Sequence, residues 1–192
     1  MTSDDNSVNI EKRAYHHGGL RAALLAEGLR LLATRDAEAL SLREVARGVG
    51  VSATAVYRHF PDKDALLAAL AKEGLSQLAA AQHVAADAAG GGDAGFAATG
   101  RAYVRFALAN PALFRLIFTT PRLTPWHAAA DEESEAMAFL RANAAASAGA
   151  ENGSPEATAH AVHAWALVHG LAMLMLDGQV PADLTLIDAV VC

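Results

Sequence analysis

The stretch from Ser41 to Lys63, SLREVARGVGVSATAVYRHFPDK, admits only short helices in quick succession. Ser41-Leu42-Arg43-Glu44 has the pattern of a capping box. In such a box the serine side chain accepts from the Glu44 N–H, and the glutamate reaches back to the serine N–H. Leu42, Val45 and Ala46 then face inward, and Gly48 and Gly50 end the helix. Ser52 is a second N-cap. The helix it opens places Val56 and Phe60, four apart, on one core-facing side. Pro61 and Asp62 break the chain, and a long helix restarts at about Lys63 and runs to about Ala89, roughly 40 Å at 1.5 Å per residue.

The rest of the chain also reads as helix. Alanine and leucine dominate and no segment alternates with period two, so the expected class is all-α. Residues 20–34 form a first helix with apolar stripes at Leu24, Leu25, Leu29, Leu31 and Leu32. Gly28 inside it costs about 1 kcal/mol relative to alanine and marks a close neighbour. The long helix carries an inward stripe of Leu67, Leu70, Leu78, Ala81 and Ala85. The segment AGGGDAG at 89–95 reads as a loop. It formally satisfies G-x-G-x-x-G through Gly90, Gly92 and Gly95, but that motif binds dinucleotides only between a strand and a helix, so a linker is expected. Further helices are expected at 96–109, 111–118, 128–146 and 155–176, with a loop at 149–155 and a short ending after Pro181.

A chain of 192 residues with 53% hydrophobic content has ample material for a core, which excludes wholesale disorder. The net charge of −6 argues at first against nucleic acid, but it is unevenly spread. Residues 1–72 hold ten Lys/Arg against nine Asp/Glu, whereas residues 73–192 hold five against twelve. The single cysteine, Cys192, cannot form an internal disulfide, which fits a reducing cytoplasm and an incidental thiol. Residues 1–11 are polar and acidic, without the pattern of a signal peptide, and read as a disordered tail. The most apolar run, 164–176, is too short to cross a bilayer and carries His169. A cytoplasmic protein without membrane association is expected.

Two short capped helices joined by a glycine-containing turn, after a longer helix, make a helix-turn-helix over residues 12–62. The second helix of such a motif enters the DNA major groove by its N-terminal residues. That explains the order of side chains in the second helix. Ala53, Thr54 and Ala55 are small enough for close approach, Thr54 can bond a base or phosphate, and the Ala55 methyl can pack on a thymine methyl. Tyr57, Arg58 and His59 follow a turn later, where tyrosine and histidine can donate to phosphates, and Lys63 adds a phosphate site at its own helix start. Lys12, Arg13, His16 and His17 could touch DNA or belong to a solvated terminus.

The run SLREVARGVGVSATAVYRHFPDKDALLAAL, with YHHGGLRAALLAEGLRLL upstream, resembles the N-terminal signature of the TetR family of transcriptional regulators. The resemblance implies an all-helical homodimer with a three-helix DNA-binding head and a ligand-binding body, here residues 63–192. By motif match, Arg43, Thr54, Ala55, Tyr57, His59 and Lys63 fall where such proteins contact operator DNA. Asp36 stands where the family commonly has a glycine ending the first helix; aspartate tolerates a left-handed conformation better than most residues. NPALFRLIF together with WALVHGLAMLMLDG is similar to the C-terminal type named for a Trp-His-Gly motif, matched by Trp165, His169 and Gly170.

The late helix is apolar nearly all round, so it needs burial on more than one side. Ala161, Ala164, Trp165, Val168 and Ala172 are the expected dimer seam. Phe106, Phe114, Phe118, Trp126, Phe139, His163 and Met173 are candidates to line a cavity for a small, mostly apolar effector. His160, His163, His169 and His127 invite a metal reading, but no Cys, Asp or Glu completes a ligand set, and neither metal nor cofactor is implied. DEESE at 131–135 reads as a solvated helix start. No nucleophile is set against a base, so an enzyme is not expected. The expected function is a one-component regulator, a repressor released from a palindromic operator by its effector. The competing reading is a helical protein that binds or processes a metabolite without operator binding.

Overall fold

The computed structural model describes residues 17–120 and 134–192, which hold nine α-helices and one short 3-10 turn and no strand. The head consists of α1 (His17–Leu32), α2 (Leu42–Val49) and α3 (Ala53–Tyr57), closed by the first turns of α4 (Lys63–Ala88). Leu24, Val45, Val56, Phe60, Leu66 and Leu70 are fully buried there, and the Arg21 guanidinium lies 5.4 Å over the Phe60 ring.

Local chemistry sets these boundaries. Ser41 Oγ accepts from the Glu44 N–H at 3.2 Å, Ser52 Oγ from Ala55 at 3.3 Å, and Asp62 Oδ1 from Ala65 at 2.7 Å. The expected capping box is only half made. The Glu44 carboxylate accepts from Arg35 at 2.5 Å and lies 3.8 Å from Arg47, so it ties α2 to the chain after α1. Gly50 ends α2 in the left-handed region at φ 77. Gly48 lies inside α2 instead of ending it: a Cβ there would come within 2.0 Å of Glu27 Oε1 on α1, so the glycine makes room for the neighbour. Asp36 does not use left-handed freedom either, since its φ is −73 and it starts the 3-10 turn Ala37–Ala39.

The body adds α5 (Gly92–Ala109), α6 (Pro111–Thr119), α7 (Glu135–Ala148), α8 (Pro155–Leu176) and α9 (Leu184–Val190). The glycine loop is shorter than the sequence suggests. Gly90, Gly91 and Gly92 turn the chain with positive φ, and α5 has begun by Gly92. Gly95 is buried, and a Cβ on it would meet the Ala86 carbonyl at 3.3 Å, so that glycine serves helix packing and not a phosphate. The ending after Pro181 is the helix α9. Trp126, His127 and the first part of DEESE lie outside the described residues.

Helix α4 packs against α1 at one end and against α5, α6 and α7 along the rest. Two glycines bring the partners close. A Cβ on Gly28 of α1 would stand 2.8 Å from Leu70, and one on Gly74 of α4 would stand 2.7 Å from Leu113 and 3.1 Å from Ile117 of α6. Helix α8 packs on α5 and α7. With 22 residues and a window of mean hydropathy 1.4, it is long and apolar enough to cross a membrane by length and composition, which corrects the reading based on 164–176 alone.

The same helix corrects the expected seam. Ala161 (0% exposed), Val168 (7%) and Ala172 (0%) are buried in the chain's own body, because α5 and α7 take that face. The uncovered apolar residues are Val162, Leu167 and Leu174, each more than 40% exposed, with Ala166 beside them.

Replacing Gly74 by valine pushes two methyl groups into the space of Leu113 and Ile117. We expect a loss of about 1–3 kcal/mol by urea denaturation with an unchanged slope. An unchanged midpoint would show that α4 and α6 are not tightly apposed at this point.

Candidate functional site

The Ser52 cap and the buried pair Val56 and Phe60 fix the orientation of α3, and therefore what it presents outward. Thr54, Tyr57 and Arg58 are exposed; Ala53, Ala55 and His59 are half-buried. Arg43 is exposed in the first turn of α2. Lys63 is half-buried, and its Nζ donates to the Glu38 carbonyl at 2.5 Å, which joins the start of α4 to the 3-10 turn. The seven residues expected at a DNA surface thus lie on α2, on α3 with the two residues after it, and at the first position of α4. Small side chains form the leading turn, and aromatic and basic groups stand behind it.

The body holds a partly open cavity of about 720 Å³, lined by α4, α5, α6, α7, α8 and residues 190–192. That volume is in the range that accommodates small organic molecules. Leu75, Leu78, Met137, Leu140 and Val168 make much of its wall apolar. Of the expected lining, Phe118 and His163 reach it. Phe114 is fully buried behind Phe118, with ring centroids 4.9 Å apart. Phe106 faces a separate groove between α4 and α5, and Phe139 stacks on the His83 ring at 3.8 Å. Met173 packs against the core, and Trp126 is outside the described residues. Trp165 and Ala164, expected in the seam, line the cavity instead.

Tyr103 of α5 is the centre of a polar node at one end of the cavity. Its Oη is 2.8 Å from His169 Nδ1, and Trp165 Nε1 donates to the same oxygen at 3.2 Å. An indole N–H can only donate, so the phenol accepts from Trp165, while the imidazole tautomer sets which partner donates in the Tyr103–His169 bond. Burial pushes the Tyr103 phenol well above its ordinary range, and burial pushes the His169 imidazole down. Phe118 packs edge-on to His169 at 4.8 Å and Phe114 edge-on to Tyr103 at 5.4 Å, so two rings of α6 close around the node. Sequence reading does not single out Tyr103, because a lone tyrosine in an apolar helix looks like plain core. The signal was indirect: Trp165 and His169 are polar-tipped residues on a buried helix and require partners.

His169 is bonded to Tyr103, and among the described residues no group of three His, Cys, Asp or Glu is placed to hold an ion.

A histidine with a depressed folded pKa binds fewer protons in the folded state. Its stabilising contribution is therefore complete above the unfolded value of about 6.5 and is lost as pH falls below it. We expect His169→Asn to lower stability at pH 8 but to flatten the fall in stability between about pH 6.5 and 5. Parallel melting curves for the two proteins across that interval would show that His169 is not held in the neutral form.

Comparison with known proteins agrees with this geometry. A family model described as bacterial regulatory proteins, tetR family, matches residues 24–70, and one described as tetracyclin repressor-like, C-terminal domain, matches residues 96–191. An HTH-type transcriptional regulator of Mycobacterium tuberculosis is 32% identical over 127 residues, covering 65% of this chain and 54% of that protein. The chain thus spans about half the length of the curated relatives it matches. Among solved structures, a Rhodococcus protein of unknown function is 36% identical with a TM-score of 0.74, covering 94% of this chain and 93% of that one. A TetR family transcription regulator from Marinobacter aquaeolei shares the fold at 23% identity and a TM-score of 0.61, covering 88% and 90%. With a head model over the helix-turn-helix and a body model over half of its length, the chain belongs to the TetR family of bacterial regulatory proteins.

Proposed function

We propose that the chain is a cytoplasmic one-component repressor that binds a palindromic operator as a homodimer and releases it when a small, mostly apolar molecule enters the body cavity. The observation that carries the reading is the leading turn of α3, small and outward-facing, held by the Ser52 cap in front of a fixed core. Thr54 and Ala55 read base edges in the major groove, and Arg43, Tyr57, Arg58, His59 and Lys63 contact phosphate. An ammonium has three donors, so Lys63 keeps its bond to the Glu38 carbonyl while donating to DNA.

The dimer forms through the uncovered face of α8. Val162, Ala166, Gly170 and Leu174 recur every fourth residue, and a Cβ on Gly170 would meet nothing within 4 Å, so a second helix can approach closely. A second copy suits this face better than lipid. The opposite face of α8 is packed on α5 and α7, whose Arg101, Arg105 and Arg141 a bilayer would have to admit as well.

Release follows the packing. Phe118 lines the cavity, and Leu113 and Ile117 of the same helix press on Gly74 of α4, while α6 also touches α1 and the 3-10 turn. A ligand that shifts Phe118 moves α6 against the head. Weakening DNA tenfold needs only about 1.4 kcal/mol of preference for the non-binding head spacing.

Three measurements test this reading. Tyr57→Phe and Lys63→Ala should weaken binding to all DNA sequences alike, and Lys63→Ala should reduce the log–log salt slope by about 0.9. An unchanged slope removes Lys63 from the contacts. Leu174→Glu should convert the dimer to monomer in light scattering with melting cooperativity retained. A stable Leu174→Glu dimer places the seam elsewhere. Calorimetry of any bound effector with and without saturating operator must show the same coupling factor in both directions. Equal ligand affinity in the two states leaves a binder without a switch.

A further inference from the structure

We propose that the cavity selects a neutral amphiphile: an amide or alcohol head, able both to donate and to accept, is held by Gln82 and His160, and an apolar tail lies toward Tyr103, Phe118 and Trp165. The inference deepens the ligand-binding reading above and rests on it.

Gln82 is the anchor. It is 8% exposed and lines the cavity from α4. Among the described residues its carboxamide makes one hydrogen bond, Nε2 to the Thr99 carbonyl at 3.5 Å, beyond the usual range for an N–H···O bond. Oε1 has no partner there. Thr99, the other buried polar residue, gives its hydroxyl to the Phe96 carbonyl at 2.7 Å and does not complete the amide. His160, on α8, also lines the cavity, and its Nε2 is buried without a hydrogen-bond partner among the described residues. A buried ring nitrogen left unsatisfied costs about as much as a lost hydrogen bond, and the Gln82 carboxamide oxygen in the same cavity wall is open to a donor.

Helix α5 shows where these groups sit. His160 packs its ring against Phe96 at 5.6 Å, and Gln82 reaches Thr99 one turn further on. Tyr103 and Trp165 come at the next turn, already bonded to each other, with Phe118 beyond. The polar demand is therefore at the end of the cavity nearer the start of α5, and the other end is aromatic.

The charges in the wall disfavour an anionic head. Arg101 Nη1 donates to the Val191 carbonyl at 2.8 Å and its Nε lies 3.8 Å from Asp188, while Asp93 accepts from Ser147 at 2.8 Å. An anionic head would therefore meet no free cation and would lie in the same cavity as the negative Asp93 carboxylate, at a desolvation cost that Gln82 and His160 do not offset.

The test uses the full-length protein and tryptophan fluorescence to titrate octanamide, octane and octanoate. Octanamide should bind more tightly than octanoate. Gln82→Leu should weaken octanamide about tenfold while leaving octane unchanged or tighter. His160→Phe should weaken octanamide in the same direction. Gln82→Met, unbranched and of similar volume, serves if the leucine variant does not fold. An amide-to-alkane affinity ratio that is the same in wild type and variant overturns the head-group assignment and leaves the cavity reading standing. Octanoate as the tightest ligand also overturns it. If none of the three binds, the assignment and the ligand-binding reading fall together.

Discussion

The pressing of Leu70 against Gly28 and of Leu113 and Ile117 against Gly74 packs one continuous helix into a core that runs from head to body, and the relation between the two depends on it. Helix α4 has 26 residues, about 39 Å at the usual rise. Its first turns bury Leu66 and Leu70 under α1, and its later turns present Leu75, Leu78 and Gln82 to the cavity. Packed interiors transmit displacement because they have little free volume to absorb it. A helix held this closely at both glycines is a rigid strut between the surface that would meet DNA and the space that would take a ligand.

The cavity end of that strut is built from groups that are satisfied and groups that are not. The Tyr103 hydroxyl, the Trp165 N–H and His169 Nδ1 are bonded to one another, so these atoms ask nothing of a ligand, and the Tyr103 and Trp165 rings shape the wall. Gln82 and His160 are incompletely bonded among the described residues. The contrast separates a structural polar node from a recognition one within a single cavity. It also accounts for the Trp-His-Gly pattern physically: the indole and imidazole are there to meet a phenol from α5, and the glycine leaves α8 open on its uncovered side.

Much of this was legible in the residues. Ser41, Ser52 and Gly50 act as caps where their types predict, and Pro155–Leu176 has the bounds that its apolar pattern suggests. What was not legible depends on which neighbour occupies a given face. Gly48 reads as a stop, yet it is a contact with Glu27, and nothing local to α2 reveals α1 beside it. Glu44 has the right spacing to cap Ser41, but a cation nine residues earlier in the chain, Arg35, competes for it. Along α8 every side is apolar, so periodicity could not say which side the body takes, and the small residues Ala161 and Ala172 went inward. Aromatic residues were overcounted as cavity lining for the same reason: Phe114 and Phe106 are core or groove residues whose type matches either role.

The proposed regulator turns on two copies of this helix-turn-helix reading two halves of one site. Selection from a random duplex DNA pool by the intact protein, followed by sequencing of the bound fraction, tests it most directly. An inverted repeat should be enriched, with half-site centres about one helical turn, or a multiple of it, apart, as a two-fold dimer requires. Absence of any enriched sequence, or enrichment of a single unrepeated site, would contradict it.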